Sequence, residues 1–232
     1  DLEDFNEHRS SFREHFKTHL IEELGNYNGV HSGENAVCAI DVEKMSAVVV
    51  FDAGTKEEPG HRRHLATAEL KKTGPFEVLL KHAGSKLSQQ EAAEFIEDWA
   101  PQIIGITTTG EDMTPLDAPK ALRRIKIDET IERGSEVGDF SESNSLMEKI
   151  EAQNKDQMPG KIIFRCTPYH GLIEYAFECR VSLSVSRHDK PSVTFQIIRF
   201  EDIEQQMAEE FRQKLTTQFV DTKTKVYLGA IS

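Results

Sequence analysis

The 232-residue chain has little cysteine, one tryptophan, no long apolar run and no surplus of positive charge. Each shortage closes off a class of protein. The three thiols, Cys38, Cys166 and Cys179, are widely spaced with no C-x-x-C pair. That spacing argues against a disulfide framework or a zinc ribbon and fits a reducing compartment. No stretch approaches the roughly 18 to 20 apolar residues that cross a bilayer, and "DLEDFNEHRS" has neither the basic start nor the apolar centre of a signal peptide. A cytoplasmic protein without a membrane partner is expected. The chain opens at Asp1 and not at Met, so a leader, tag or arm is expected to be missing.

Lys and Arg number 28 against 40 Asp and Glu, a formal net charge of −12, which repels a polyphosphate except at a locally basic face. Direct nucleic-acid binding is therefore not expected. The charge is uneven along the chain. Residues 1–60 carry five basic and thirteen acidic side chains, 61–87 six and two, 88–160 seven and sixteen, and 161–232 ten and nine. The only clearly basic block opens with "HRRHLATAELK".

Catalytic signatures are absent as well. There is no G-x-S-x-G elbow, no Walker loop and no G-x-G-x-x-G. "GEDMTPLDAPK" spaces its acids a little like a calcium loop but lacks the central Gly and final Glu of an EF-hand. Cys179 lies on the apolar face of a strand pattern, where burial raises a thiol pKa and removes the thiolate. No catalytic residue, metal site or cofactor is assigned.

What is present is a 38% hydrophobic content, enough for a core, distributed in helical and strand periods. Phe5, Phe12, Phe16, Leu20 and Leu24 run near helical spacing up to Gly25, which reads as an N-terminal amphipathic helix with a glycine C-cap, within a segment spanning 1–45. The remainder, 46–232, is expected to be one α+β domain. "SAVVVFDAG" and "HLATAELK" form a hairpin, with His64 and Leu65 opening the second strand and Arg62 and Arg63 at the loop exit. Ser88 and Glu91 make a capping box before Ala92, Ile96, Trp99 and Ile103, and Pro101 ends that helix near Trp99. Between Gly105 and Asp156 only "RRIKIDETI" alternates, and a flexible insertion is expected around 132–158.

The third part is clearer. Ile173, Tyr175, Phe177, Cys179, Val181, Leu183 and Val185 alternate with polar or small residues as a half-buried strand does, between the shorter strands "KIIFRCTP" and "SVTFQIIRF". These three form an antiparallel β-meander whose edges could pair with another chain. Ile203, Met207, Phe211, Leu215 and Phe219 make an i, i+4 helical stripe, and "KVYLGA" a last strand. The fold class is α+β, an antiparallel β-meander with packed amphipathic helices.

His61, Arg62, Arg63 and His64 are the candidate partner-binding residues. As charged strand-edge residues they need do no more than oppose aggregation. As a basic patch in an acidic chain they suit an anion or an acidic partner surface. His61 and His64 sit three apart, but zinc needs three or four ligands and none is adjacent; His31, Asp52, His82 and His170 could join only through the fold.

"GHRRHLATAEL", "LSQQEAAEFIEDW", "YHGLIEYAFECRVSLSV" and "VYLGA" resemble an uncharacterised phage and prophage family that includes the YfdQ-like proteins, from about Val48 onward. The family pattern has a G-H-x-x-H-like turn, here Gly60, His61 and His64. It also has a helix matched by Gln89, Glu91, Ala93, Glu94, Phe95, Ile96, Glu97 and Asp98, with Ala92 standing where Phe is common. The resemblance implies a phage-encoded or prophage-encoded protein in a bacterial cytoplasm, with no catalytic residues to carry over. The expected function is a non-enzymatic accessory protein that self-associates as a homo-oligomer. Two alternatives stand beside it: an acidic binding protein modulating a host or phage nucleic-acid enzyme, and a metal-assisted enzyme.

Overall fold

Two sheets with different strand logic organise the chain. The computed structural model describes residues 13–114, 116–125, 146–151, 157–184 and 191–230. They form an α+β fold in two compact units, one built from Asp1–Lys72, Tyr169–Leu172 and Glu201–Ser232, the other from Thr73–Pro168 and Ile173–Phe200.

The first unit holds a five-stranded mixed sheet. Its strands are β1 (Glu14–Thr18), β2 (Val37–Asp41), β3 (Ser46–Val50), β4 (His64–Glu69) and β11 (Lys225–Leu228), in the order β1-β4-β3-β2-β11. The centre is antiparallel and local, and both outer strands run parallel to their neighbours. Helices α1 (Ile21–His31) and α6 (Phe200–Gln218) complete the unit. One side of the sheet, Cys38, Ile40, Ala47, Val49, Ala66 and Ala68, is fully buried. The alternate residues Val37, Val48, Leu65 and Thr67 are only half-buried. The stripe of α6 is buried at Met207, Phe211, Leu215 and the following Phe219, each side chain contributing about 1.5–3 kcal/mol.

The expected N-terminal helix is corrected here. Phe5 and Phe12 lie outside the described residues, and Phe16 is in β1, not in a helix. Glu14, Phe16 and Thr18 fit a two-residue period as well as the phenylalanines fit a helical one, and five residues of pairing with β4 decide for the strand. The helix starts at Ile21 and runs through Gly25, which is not its C-cap. A Cβ at Gly25 would lie 2.7 Å from Gln218 Oε1, so glycine serves close approach of α1 to α6. The expected break between 45 and 46 falls inside the β2–β3 hairpin, where Asp41 is in register with Ser46.

The second unit holds a wholly antiparallel six-stranded sheet, β5-β10-β9-β8-β6-β7, built from β5 (Leu87–Ser88), β6 (Ile103–Thr107), β7 (Asp112–Met113), β8 (Pro159–Cys166), β9 (Tyr175–Ser184) and β10 (Ser192–Ile197). The expected meander is β8-β9-β10, with Phe177, Cys179, Val181 and Leu183 buried on one face of β9; Ile173, expected on that face, is exposed ahead of the strand, and Val185 lies outside the described residues. Its expected pairable edges are already covered: β6 pairs with β8, while β5 and an Ala83–Phe195 bridge occupy β10. Helix α2 (Gly74–His82), α3 (Gln89–Asp98) and α4 (Asp117–Arg123) belong to this unit, with a helical turn, α5, at 146–151. The Ser88 capping box forms as expected, and α3 gives way at Trp99 to a 3-10 turn, Ala100–Gln102. Most of the 132–158 insertion lies outside the described residues. Among the described residues no helix is long and apolar enough to cross a membrane.

Candidate functional site

The chemistry gathers at one end of the mixed sheet, where the loop between β3 and β4 returns to the strand. Asp52 organises that return. Its Oδ2 accepts the Arg63 backbone N–H at 2.9 Å, its Oδ1 the His64 N–H at 3.1 Å, and its backbone carbonyl the Arg62 N–H at 3.3 Å. Three consecutive amides converging on one residue need a turn in the chain, and Arg62 supplies it at φ 52, in the left-handed region. A side chain held there costs on the order of 1 kcal/mol, and glycine would relieve it, yet an arginine occupies the position. The loop is narrow as well as pinned. A Cβ at Gly60 would stand 1.8 Å from the Asp52 carbonyl oxygen, so only glycine fits.

Parallel pairing then brings a distant segment to this loop. Glu14 of β1 is in register with His64, and the Glu14 N–H donates to the Arg63 carbonyl at 3.2 Å. Arg13 thereby arrives beside Arg62 and Arg63. Together with Glu14, His15 and Leu65 these three arginines line a cleft of about 660 Å³. Residues 1–72 contain four arginines, and three of them face this one cleft. His15 Nε2 is 2.8 Å from Thr67 Oγ1, and its pKa is lowered by burial and then by Lys17, so at neutral pH it offers hydrogen bonds and not charge.

Behind the cleft lies a cluster of rings. Tyr27 of α1 stacks on Phe16, centroids 4.4 Å apart and planes within 2°, and on His31 at 4.2 Å. The His64 ring packs on Phe51 at 4.6 Å and meets His31 edge-on at 5.1 Å. The Tyr27 hydroxyl is 3.1 Å from His64 Nε2 and is hydrogen-bonded to the Glu14 carboxylate. Burial and then the Glu14 bond and charge raise the Tyr27 pKa. Burial first and the neighbouring His31 second lower that of His64, against smaller upward pulls from Glu14 and Asp52.

The four candidate residues therefore separate. Arg62 and Arg63 line the cleft, His64 turns into the ring cluster, and His61 is exposed on the loop before the strand. Of the histidines and acid that only the fold could bring in, His31 and Asp52 reach His64. His82 instead packs on Phe95 in the other unit, and the His170 N–H bonds the Lys71 carbonyl. Among the described residues no three His, Cys, Asp or Glu side chains converge as metal ligands. Cys38, Cys166 and Cys179 are all buried, and burial pushes each thiol up to about 12, far from thiolate chemistry.

Arg13, Glu14 and His15 escaped the sequence reading because their segment was assigned to a helix, and Tyr27 because it lay just past the Gly25 at which that helix was ended. Asp52 could be singled out by its place two residues before Gly54 at a strand end, where Asp favours turns that bond nearby amides. One family profile, that of an uncharacterized conserved protein, matches residues 1–231. The chain belongs to the DUF2303 family. No curated protein and no solved structure matches it.

Proposed function

We propose that the chain is a non-enzymatic accessory protein, encoded by a phage or prophage and working in the cytoplasm of its bacterial host, that self-associates by docking its arginine cleft on an acidic surface of a second copy. The phage context follows from the likeness to the YfdQ-like proteins. The docking role is supported by one observation above the others: Arg62 is held in a strained backbone conformation by Asp52, and this turn aims Arg62 and Arg63 into the cleft that Arg13 enters from β1. Strain retained at an exposed arginine favours a task beyond folding.

A second copy meets the electrostatic requirement, because the chain is acidic outside the basic block. Its exposed carboxylates include Glu22 and Glu23 on α1 and Glu57 and Glu58 on the loop. The meander edges play no part in this version, since the chain pairs them itself.

Native mass decides the matter. Wild type is expected to run as an oligomer at low salt and to lose mass at high salt, because exposed charges act over only about 8 Å at physiological ionic strength. Arg62→Glu with Arg63→Glu is expected to be monomeric while keeping its melting temperature, since exposed charge changes rarely cost more than about 0.5 kcal/mol. A wild-type monomer at micromolar concentration and low salt would falsify the proposal. Identical assemblies for both proteins at both salts would leave the arginines as charged strand-edge residues only.

A further inference from the structure

The outer side of the mixed sheet is the least covered surface of the first unit. Register places Leu65 of β4, Val48 of β3, Val37 of β2 and Tyr227 of β11 on it, between Lys17 of β1 and Lys225 of β11. The central strands read "VCAI" and "AVVV", apolar at every position, which is the pattern of strands buried on both faces and not the alternation of a sheet with one wet side. The helices nevertheless lie on the other side. Tyr27 of α1 stacks on Phe16, which shares a side with Ala66, and Gly25 brings α1 against α6. Val37, Val48 and Leu65 therefore stay half-buried, and Tyr227 is 52% exposed.

The outward face of α1 matches this surface in shape and charge. Glu22, Glu23, Asn26, Gly29 and Val30 are exposed, and their i, i+4 and i, i+7 spacing puts them on one side of the helix. Val30 is 78% exposed, a Cβ at Gly29 would meet nothing within 4 Å, and α1 contains no Lys or Arg. Among the described residues Lys17 and Lys225 on the sheet, and Glu22 and Glu23 on the helix, make no ion pair.

We infer that α1 of a second copy lies lengthwise on this open sheet face, with Val30 and Gly29 against Val48 and Tyr227 and with Glu22 and Glu23 at the arginine end. The inference deepens the proposed self-association, on which it rests, by naming the acidic surface that docks.

Dimensions favour this occupant. The 11 residues of α1 span about 16 Å, and five paired strand residues about 17 Å. β1 and β11 stand four strand spacings apart, about 19 Å, which admits a helix about 10–12 Å across between Lys17 and Lys225. Glu23 and Val30 are about 10 Å apart along the helix, so with Val30 on the row of Val48 and Thr67 the carboxylates reach the start of β4, where Arg62 enters. Glu69 and Asp41 at the far end of the same face exclude the reverse direction, which would set carboxylate against carboxylate. The helix and the open face lie on opposite sides of one sheet. Each copy thus offers its face to one neighbour and its helix to another, and the assembly is a ring or an extending stack, not a twofold dimer.

Native mass of the full chain and of two single variants tests this arrangement. Tyr227→Lys spoils the face at an exposed edge-strand position, where lysine is tolerated, and Val30→Lys spoils the helix in its last turn, where a cation suits the helix dipole. Each is expected to keep the wild-type melting temperature and to fall to the mass of one chain under conditions in which the wild type assembles. Mixed one to one, the two are expected to give a two-chain particle and nothing larger, because one sound helix meets one sound face and the remaining pair sets lysine against lysine. Either variant assembling as the wild type does, or a mixture that stays monomeric or regains the wild-type assembly, overturns the inference. Val48→Lys repeats the face test if Tyr227→Lys lowers the melting temperature. The arginine variant keeps the two readings apart. If Arg62→Glu with Arg63→Glu is monomeric while Tyr227→Lys and Val30→Lys assemble normally, α1 is removed and docking at the cleft stands. If the face and helix variants dissociate while the arginine variant assembles, docking at the cleft is removed and the sheet contact stands. A wild-type monomer removes both.

Discussion

The two units use aromatic rings for different ends. In the second unit Phe76, Phe164, Phe177 and Phe195 are fully buried, Phe95 nearly so, and their rings lie 5.2 to 6.0 Å apart in the contacts Phe76–Phe177, Phe95–Phe164 and Phe95–Phe195. They are hydrocarbon packed on hydrocarbon, with one titratable ring, His82, stacked on Phe95. In the first unit the cluster of Phe16, Tyr27, His31, Phe51 and His64 mixes apolar rings with three that carry protons, and Glu14 and Asp52 sit at its margin. The phenylalanine core stabilises a wholly antiparallel sheet. The mixed cluster fixes the place of titratable groups beside an arginine cleft, and that is where a binding role is to be sought.

The comparison can be broken most violently through the cores. Phe211→Asp puts an unpaired carboxylate at a fully buried position on α6 and is expected to give insoluble protein, whereas Phe177→Ala in the other unit leaves a cavity costing about 3–5 kcal/mol. Chemical denaturation measures both. A soluble Phe211→Asp protein with an unchanged melting temperature would mean that the α6 stripe is not core, and the first unit would then owe its stability elsewhere.

A milder test asks whether the loop of the first unit is as rigid as its hydrogen bonds imply. Asp52→Ala removes the acceptor of the Arg63 and His64 amides and is expected to cost about 1–3 kcal/mol, with Asp52→Asn, which keeps one oxygen, in between. An Asp52→Ala protein as stable as wild type would show that the turn at Arg62 holds itself.

The smallest effect is a pH dependence. His64 has a folded pKa below its ordinary 6.5, chiefly through burial, and His15 shares the direction. The unfolded chain then binds more protons than the folded one as pH falls through about 6.5, so stability declines toward acid and is regained above it. Melting temperatures of wild type and His64→Gln between pH 8 and pH 5.5 isolate the contribution. The wild type should lose more than the variant, and parallel curves would mean that His64 titrates as an exposed histidine does.

Much of the fold was legible because its patterns are local. The strict alternation along β9 sorted Phe177, Cys179, Val181 and Leu183 onto one face. The Ser88–Glu91 pair marked the start of α3, and the Met207, Phe211, Leu215 spacing marked the buried side of α6. The segment around Phe16 misled because phenylalanines four apart satisfy a helix on paper while Glu14, Phe16 and Thr18 satisfy a strand in the sheet. Of the candidate site, "HRRH" was visible as basic residues at a strand entrance, but its four members do not act together.

Composition and periodicity determined by themselves the α+β class, the meander, the hairpin of β3 with β4 and an acidic chain with one basic block. Each follows from contacts between near neighbours or from summed charge, which a one-dimensional string records in full. Only the tertiary structure decided that β1 would lie parallel to β4, and with it that Arg13 would join Arg62 and Arg63 while Tyr27 took up both Glu14 and His64. A parallel pair has no tight turn to announce it. Its register is set when the whole sheet closes over its buried face, and the roughly fifty residues between the partners carry no mark of that closure.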